Sequence, residues 1–160
     1  MFGIGEYTFA PFRVVWKRMA NDLVAAVIAD WHTPFGMKAL LPTDTTAFIP
    51  LDNEAEAHYL AAILNSGPVR TYIRSFSSAG RGFGAPAILR YIGIVRFDPA
   101  DPNHAELSNL GARASQAVAS GNSELLTEIE ASVDRAVSAA FGFGQSPDTP
   151  RDPLNAPLSF

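Results

Sequence analysis

The chain has 160 residues, enough for one domain with a tail, and 48% of them are hydrophobic, enough for a packed core. It contains no cysteine, which excludes a disulfide framework, a cysteine nucleophile and a cysteine-based zinc site. The net charge of −4 is unevenly spread: nine Lys/Arg against eight Asp/Glu in residues 1–98 give +1, and three against eight in 99–160 give −5.

No apolar run approaches the roughly 20 residues that a membrane helix needs. The opening MFGIGEYTFAPF has no basic stretch leading into an apolar one, so no signal peptide is expected. The expected location is cytoplasmic, away from membranes.

Taken in order, the first twelve residues are aromatic and glycine-rich, and Pro11 suits a strand start or edge. FRVVW at 12–16 is β-branched and aromatic and predicts a strand. After a turn at 20–22, LVAAVIA at 23–29 predicts a second strand, paired with the first as a hairpin, with a helix as the alternative for this alanine-rich run. Residues 30–44 carry Pro34, Gly36 and Pro42 and read as an ordered loop. TTAFIPL at 45–51 is a third strand, ended by Pro50. Asp52 or Asn53 then caps a helix whose Ala57, Leu60, Ala61 and Leu64 form one apolar stripe.

Asn65-Ser66-Gly67-Pro68 stops that helix, with Gly67 as the C-cap. A short helix follows over 69–76. Val69, Tyr72, Ile73 and Phe76 face inward, and Arg70 and Arg74 lie four apart on the outer face. SSAGRGFGAP at 77–86 is a flexible loop, and ILRYIGIVRF at 88–97 a strand. Helices over 103–119 and 123–141, the second capped by Ser123, flank a turn at Gly121-Asn122. The final stretch, 145–160, is proline-rich and expected to be disordered.

Between Glu56 and Asp98 there is no acidic residue, and this window carries Arg70, Arg74, Arg81, Arg90 and Arg96. A helix, a glycine-rich loop and cations unopposed in sequence suggest contact with a polyanion. The ordinary alternative is a solvated surface with scattered charge.

Within the same window, HYLAAILNS, the arginine-bearing short helix, the glycine-rich loop and the strand ending I-x-I-x-x-F-D-P resemble the C-terminal target-recognition domain of restriction–modification adenine-N6 DNA methyltransferases. GEYTFAPFRVVWKRM and TDTTAFIPL before it, and FDPADPNHAELSNLGARA after it, extend the resemblance over about Gly5 to Phe143. It rests on the order and spacing of several pieces, since none is stringent alone. The resemblance implies a module that binds double-stranded DNA and gives sequence specificity to a methyltransferase catalytic domain or subunit.

The implied fold class is α+β: a small curved, mostly antiparallel sheet with packed helices over 1–98, then a helical hairpin over 99–144, acidic on its exposed face, and the tail. The expected DNA contacts are Lys17, Arg18, Arg70, Arg74, Ser77, Ser78, Arg81 and Phe83. The arginines and serines would meet phosphates or guanine edges, and Phe83 would wedge or stack against a base. The ordinary alternatives are a solvated strand end, helix surface and loop, with Phe83 anchoring that loop.

The chain lacks the amino-methylase tetrapeptide ending Pro-Pro-Tyr/Phe, because it has no Pro-Pro pair. GRGFG at 80–84 precedes a strand instead of following one, which makes a poor cofactor loop. No catalytic residue, cofactor site or metal site is therefore expected here. S-adenosylmethionine and the base-flipping chemistry would belong to the catalytic partner, and the chain to a fragment or a separate specificity piece.

Glu54 and His58, four apart, resemble half a metal site but read better as a helix-surface pair. Asp30 and His32 lack a nucleophile elbow to serve. His104 belongs to a helix start. A rival reading without DNA is a protein-interaction module docking through the acidic helical hairpin.

Overall fold

A computed structural model describes residues 5–76 and 92–141, with Phe76 described by its backbone alone. Residues 1–4, the loop expected at 77–86, the first part of the strand expected at 88–97 and the tail at 145–160 lie outside the described residues. The fold is α+β, as expected: the described residues hold a small antiparallel sheet, a separate two-stranded hairpin and four α-helices, the last two forming a helical hairpin.

After a 3-10 helix at Glu6–Phe9, strand β1 (Phe12–Lys17) is the centre of a three-stranded sheet. It pairs antiparallel with β2 (Ala25–Ala29) on one side and with β5 (Thr46–Leu51) on the other. Val14 lies opposite Val27 and Ile49, and Trp16 opposite Ala25 and Ala47. With a side-chain period of two, these residues share the face that meets the helices. Pro50 does not end β5 but lies within it, opposite Arg13. The position is tolerated because β5 is an edge strand.

Residues 30–44 are not wholly a loop. They hold a small hairpin, β3 (Trp31–Thr33) with β4 (Gly36–Lys38), in which Thr33 faces Gly36. Gly36 has φ +109°, a conformation that a side chain would strain, and Pro34 sits in the tight turn before it. Strands of three residues are too short for alternation to announce them.

Helix α1 (Glu54–Asn65) begins at Asn53, whose side chain accepts from the N–H groups of Ala55 at 2.8 Å and Glu56 at 3.4 Å. The expected stripe is buried, but so are Tyr59, Ala62 and Ile63. A helix buried all round must be covered on several sides, and α1 packs on the sheet, on α2 (Gly67–Phe76) and on α3 (Pro102–Ala119). The Asn65 amide pins its far end: Oδ1 accepts from Ala25 N–H and Nδ2 donates to Ala25 C=O, each at 2.8 Å.

The junction between α1 and α2 differs from expectation. Ser66 is the C-cap, with extended backbone, and Gly67 opens the next helix. Ser66 also starts α2: its carbonyl accepts from Arg70 N–H at 2.9 Å and its Oγ from Val69 N–H at 3.4 Å. Pro68 is harmless so early in α2, where an N–H has no intrahelical acceptor anyway. Tyr72, expected inward, is partly exposed; Val69 and Ile73 are buried as expected.

Over 92–97 the chain makes a turn at Ile92-Gly93 and one isolated bridge at Val95, so this part of the expected strand is not extended sheet. Tyr59 instead holds it by donating its hydroxyl to Val95 C=O at 3.0 Å. Helix α3 is capped by Asp101 and has Pro102 in its first turn. It ends in a Schellman turn, where Asn122 N–H bonds Ala117 C=O and Gly121, at φ +68°, bonds Val118 C=O. Helix α4 (Ser123–Phe141) has the expected bounds, but Asn122 caps it, accepting from Leu125 N–H at 3.0 Å.

One core joins Val14, Trp16 and Ile49 of the sheet, Leu60 and Leu64 of α1, Leu107 of α3, and Ile129 and Val133 of α4. The helical hairpin thus shares its core with the sheet. Arg13 lies on the other face of β1, with no exposed surface, and pairs with the Asp30 carboxylate, which keeps 26% exposure. Its guanidinium also donates to Thr8 C=O at 3.2 Å and Leu40 C=O at 3.0 Å.

Asp30→Ala leaves a buried guanidinium without a counter-charge and is expected to cost about 3–5 kcal/mol. Arg13→Met leaves a carboxylate that already reaches water and should cost less; urea denaturation at pH 7 checks the order. The close approach of α3 to α1 yields a second prediction. A Cβ at Gly111 would stand 2.2 Å from the carbonyl oxygen of His58. Gly111→Ala therefore forces α1 and α3 apart, at an expected cost of roughly 1–3 kcal/mol in the same denaturation experiment.

Candidate nucleic-acid interface

The end of the sheet where β1 turns into β2 gathers four of the expected DNA contacts. Lys17 and Arg18 leave β1 there, both exposed. Arg18 is held by backbone: its N–H donates to Thr45 C=O at 2.9 Å and its side chain to Asp44 C=O at 3.4 Å. Arg70 and Arg74 reach the same turn from α2, because the short Ser66 junction redirects the chain just after Asn65 is fastened to β2.

Both α2 arginines meet Asp22. Arg70 grips its carboxylate with Nε, at 3.1 Å from Oδ1, and with a terminal nitrogen on Oδ2. Arg74 adds a terminal nitrogen at 2.9 Å from Oδ2, and Leu23 N–H donates to Oδ1 at 2.9 Å. The two arginines expected as unopposed cations thus share one acid, 48 residues before Arg70 in the chain. Two guanidinium charges still face one carboxylate, and Arg74 keeps about half of its side-chain surface exposed.

Ser77, Ser78, Arg81 and Phe83, together with Arg90, lie outside the described residues. Arg96 is exposed and stands apart from the cluster: its charge acts on Glu56, at the opposite end of α1 from Arg70. The arginine window is therefore not one patch.

A second surface was not expected. The β3–β4 hairpin exposes Trp31, Met37 and Phe35, the last at 93%. Leu40 and Leu41, just after the hairpin, are also exposed. A tryptophan and a phenylalanine beside a proline turn were the available signal, but they serve equally well as core residues.

Glu54 and His58 line an open groove between α1 and α3, along with Phe97, Ser108 and Ala112. The two side chains stand 3.9 Å apart. Among the described residues no group of three or more His, Asp or Glu could hold a metal ion. Asp30 is engaged by Arg13, and His32 is exposed on β3. His104 packs against Tyr59 and Phe97, and its Nδ1 accepts from Asp98 N–H at 3.0 Å, consistent with a role at the helix start. Among the described residues no helix is long and apolar enough to cross a membrane.

No protein-family model, curated protein or solved structure matches the chain.

Burial pushes the His58 imidazole below its usual range, an effect that Glu54 partly offsets. The unfolded chain then takes up a proton at His58 before the folded one does, so folding stability falls as pH drops below about 6.5. Denaturation of wild type and His58→Gln at pH 7.5 and pH 5.5 should show wild type losing more stability between the two. His32 and His104 are common to both proteins and cancel in the comparison.

Proposed function

We propose that the chain is a DNA target-recognition module of a restriction–modification adenine-N6 methyltransferase system. In this reading it grips the duplex and directs a separate catalytic domain or subunit, which holds S-adenosylmethionine and carries out methyl transfer. The observation that supports it is the convergence of Lys17, Arg18, Arg70 and Arg74 on one end of the sheet. Cations from two distant segments gather at that end of the sheet, and such a cluster suits phosphates. The α2 helix delivers its arginines from a rigid base, since Val69 and Ile73 beside them are buried.

A second reading, a protein-interaction module, is favoured by the exposed Trp31, Phe35 and Met37 of the β3–β4 hairpin. The acidic surface first expected to dock a partner is present in α4, where Glu124, Glu128 and Glu130 are exposed. The two readings separate on salt.

Fluorescence anisotropy with a labelled duplex tests the first. Four phosphate contacts give a slope of roughly −3 to −4 in log K against log salt concentration, and loss of two of them lowers its magnitude by roughly 2. Lys17→Ala/Arg18→Ala and Arg70→Ala/Arg74→Ala should each do so while remaining folded by circular dichroism. Duplex binding that ignores salt, or that both variants retain unchanged, would reject the DNA reading and favour the interaction module.

A further inference from the structure

The carboxylate of Asp22 sits where an oxyanion ligand of the α2 arginines would sit. It receives the paired nitrogens of Arg70, one nitrogen of Arg74 and the N–H of Leu23. Such a two-pronged guanidinium grip suits phosphate oxygens as well as carboxylate oxygens. Three features separate the donors from the acid they hold. The arginines are fixed from behind by buried Val69 and Ile73. Leu23 is buried and anchors the turn, so Asp22 can swing out by side-chain rotation without moving the backbone. The Asp22 side chain keeps 24% exposure, so its way out to solvent is open.

We propose that Arg70, Arg74 and the Leu23 N–H form a phosphate-binding site that Asp22 fills from within, and that a DNA phosphate takes the site by displacing it. The proposal rests on the DNA reading for the identity of the ligand. The site itself rests on the geometry around Asp22. Exchange of one monoanion for another leaves the charge of the site unchanged, so release of Asp22 to water leaves both arginines paired. Asp22 is then a self-inhibitory contact that weakens binding to any polyanion too poorly placed to compete with it.

A binding site open only a tenth of the time binds about tenfold more weakly than one always open. Asp22→Asn, close in shape but without the charge, should therefore tighten duplex binding about tenfold at low salt. Asp44→Asn supplies the control for general charge removal, because Asp44 lies at the same end of the sheet and its contact with Arg18 is through the backbone carbonyl. The gain from Asp22→Asn should exceed that of Asp44→Asn and vanish in the Arg70→Gln/Arg74→Gln background. Asp22→Ser carries the same comparison should Asp22→Asn fail to fold.

Titration with inorganic sulfate, followed by NMR of the arginine Nε–H signals, tests the site without DNA. Asp22→Asn should shift the Arg70 signal at sulfate concentrations that leave wild type unmoved. Sulfate binding by Asp22→Asn with no duplex binding by any variant would sustain the site and reject the DNA reading. Salt-sensitive duplex binding in which Asp22→Asn gains no more than Asp44→Asn, with no sulfate shift, would overturn this proposal and leave the DNA reading standing. Asp22 would then be a structural clamp between the turn and α2.

Discussion

A guanidinium with no exposed surface must find its counter-charge and acceptors within the protein, and Arg13 does so at the middle of the sheet. Its partners come from three places: Thr8 in the 3-10 helix, Asp30 just after β2, and Leu40 beyond the β3–β4 hairpin. The segments on either side of the sheet are thereby tied to its central strand. An arginine here costs desolvation that a leucine would not, and its Nε is buried without a partner among the described residues. What it adds is direction: a hydrogen-bonded cation accepts few alternative arrangements of the segments around it. The exposed hairpin thus springs from a fixed base.

On the other face, α1 performs the corresponding task by packing. Its all-round burial places sheet, α2 and α3 against one helix, and the glycine at 111 lets α3 approach its backbone. Ser108 adds a hydroxyl donated to Ala55 C=O at 2.8 Å. Asn65 then links the end of this helix to β2, and Ser66 turns the chain straight into α2. The Gly67 N–H, freed by helix initiation, is taken by Asp134 of α4 at 2.8 Å. The orientation of α2, and of the arginines on it, is therefore decided by polar contacts at both of its neighbours.

That orientation sets the electrostatic character of the candidate interface. Arg70 and Arg74 lie in a stretch of sequence free of acids, yet they share Asp22. The surface is a partly neutralised cationic face rather than a bare one. Lys17 and Arg18 stand at the same end of the sheet, at the end of β1, while the charge of Arg96 acts on Glu56 near the far end of α1. Partial neutralisation weakens the non-specific pull of such a surface on polyanions, because each exposed cation adds affinity without adding selectivity.

Much of the framework was legible in the chain alone. The cap at Asn53, the stop near Ser66 and the turn at Gly121-Asn122 act over a few residues, as do the apolar runs of β1, β2 and β5. Local signals of this kind determine where elements begin and end. The cationic character of residues 70 and 74, and their place on one helix face, were legible for the same reason. Only the tertiary structure decided that Asp22 meets them, that Arg13 is buried against Asp30, that Arg96 stands elsewhere, and that Trp31 and Phe35 face outward. Charge pairing and burial depend on distance through space, and the sheet register and helix packing that set this distance join residues far apart in the chain.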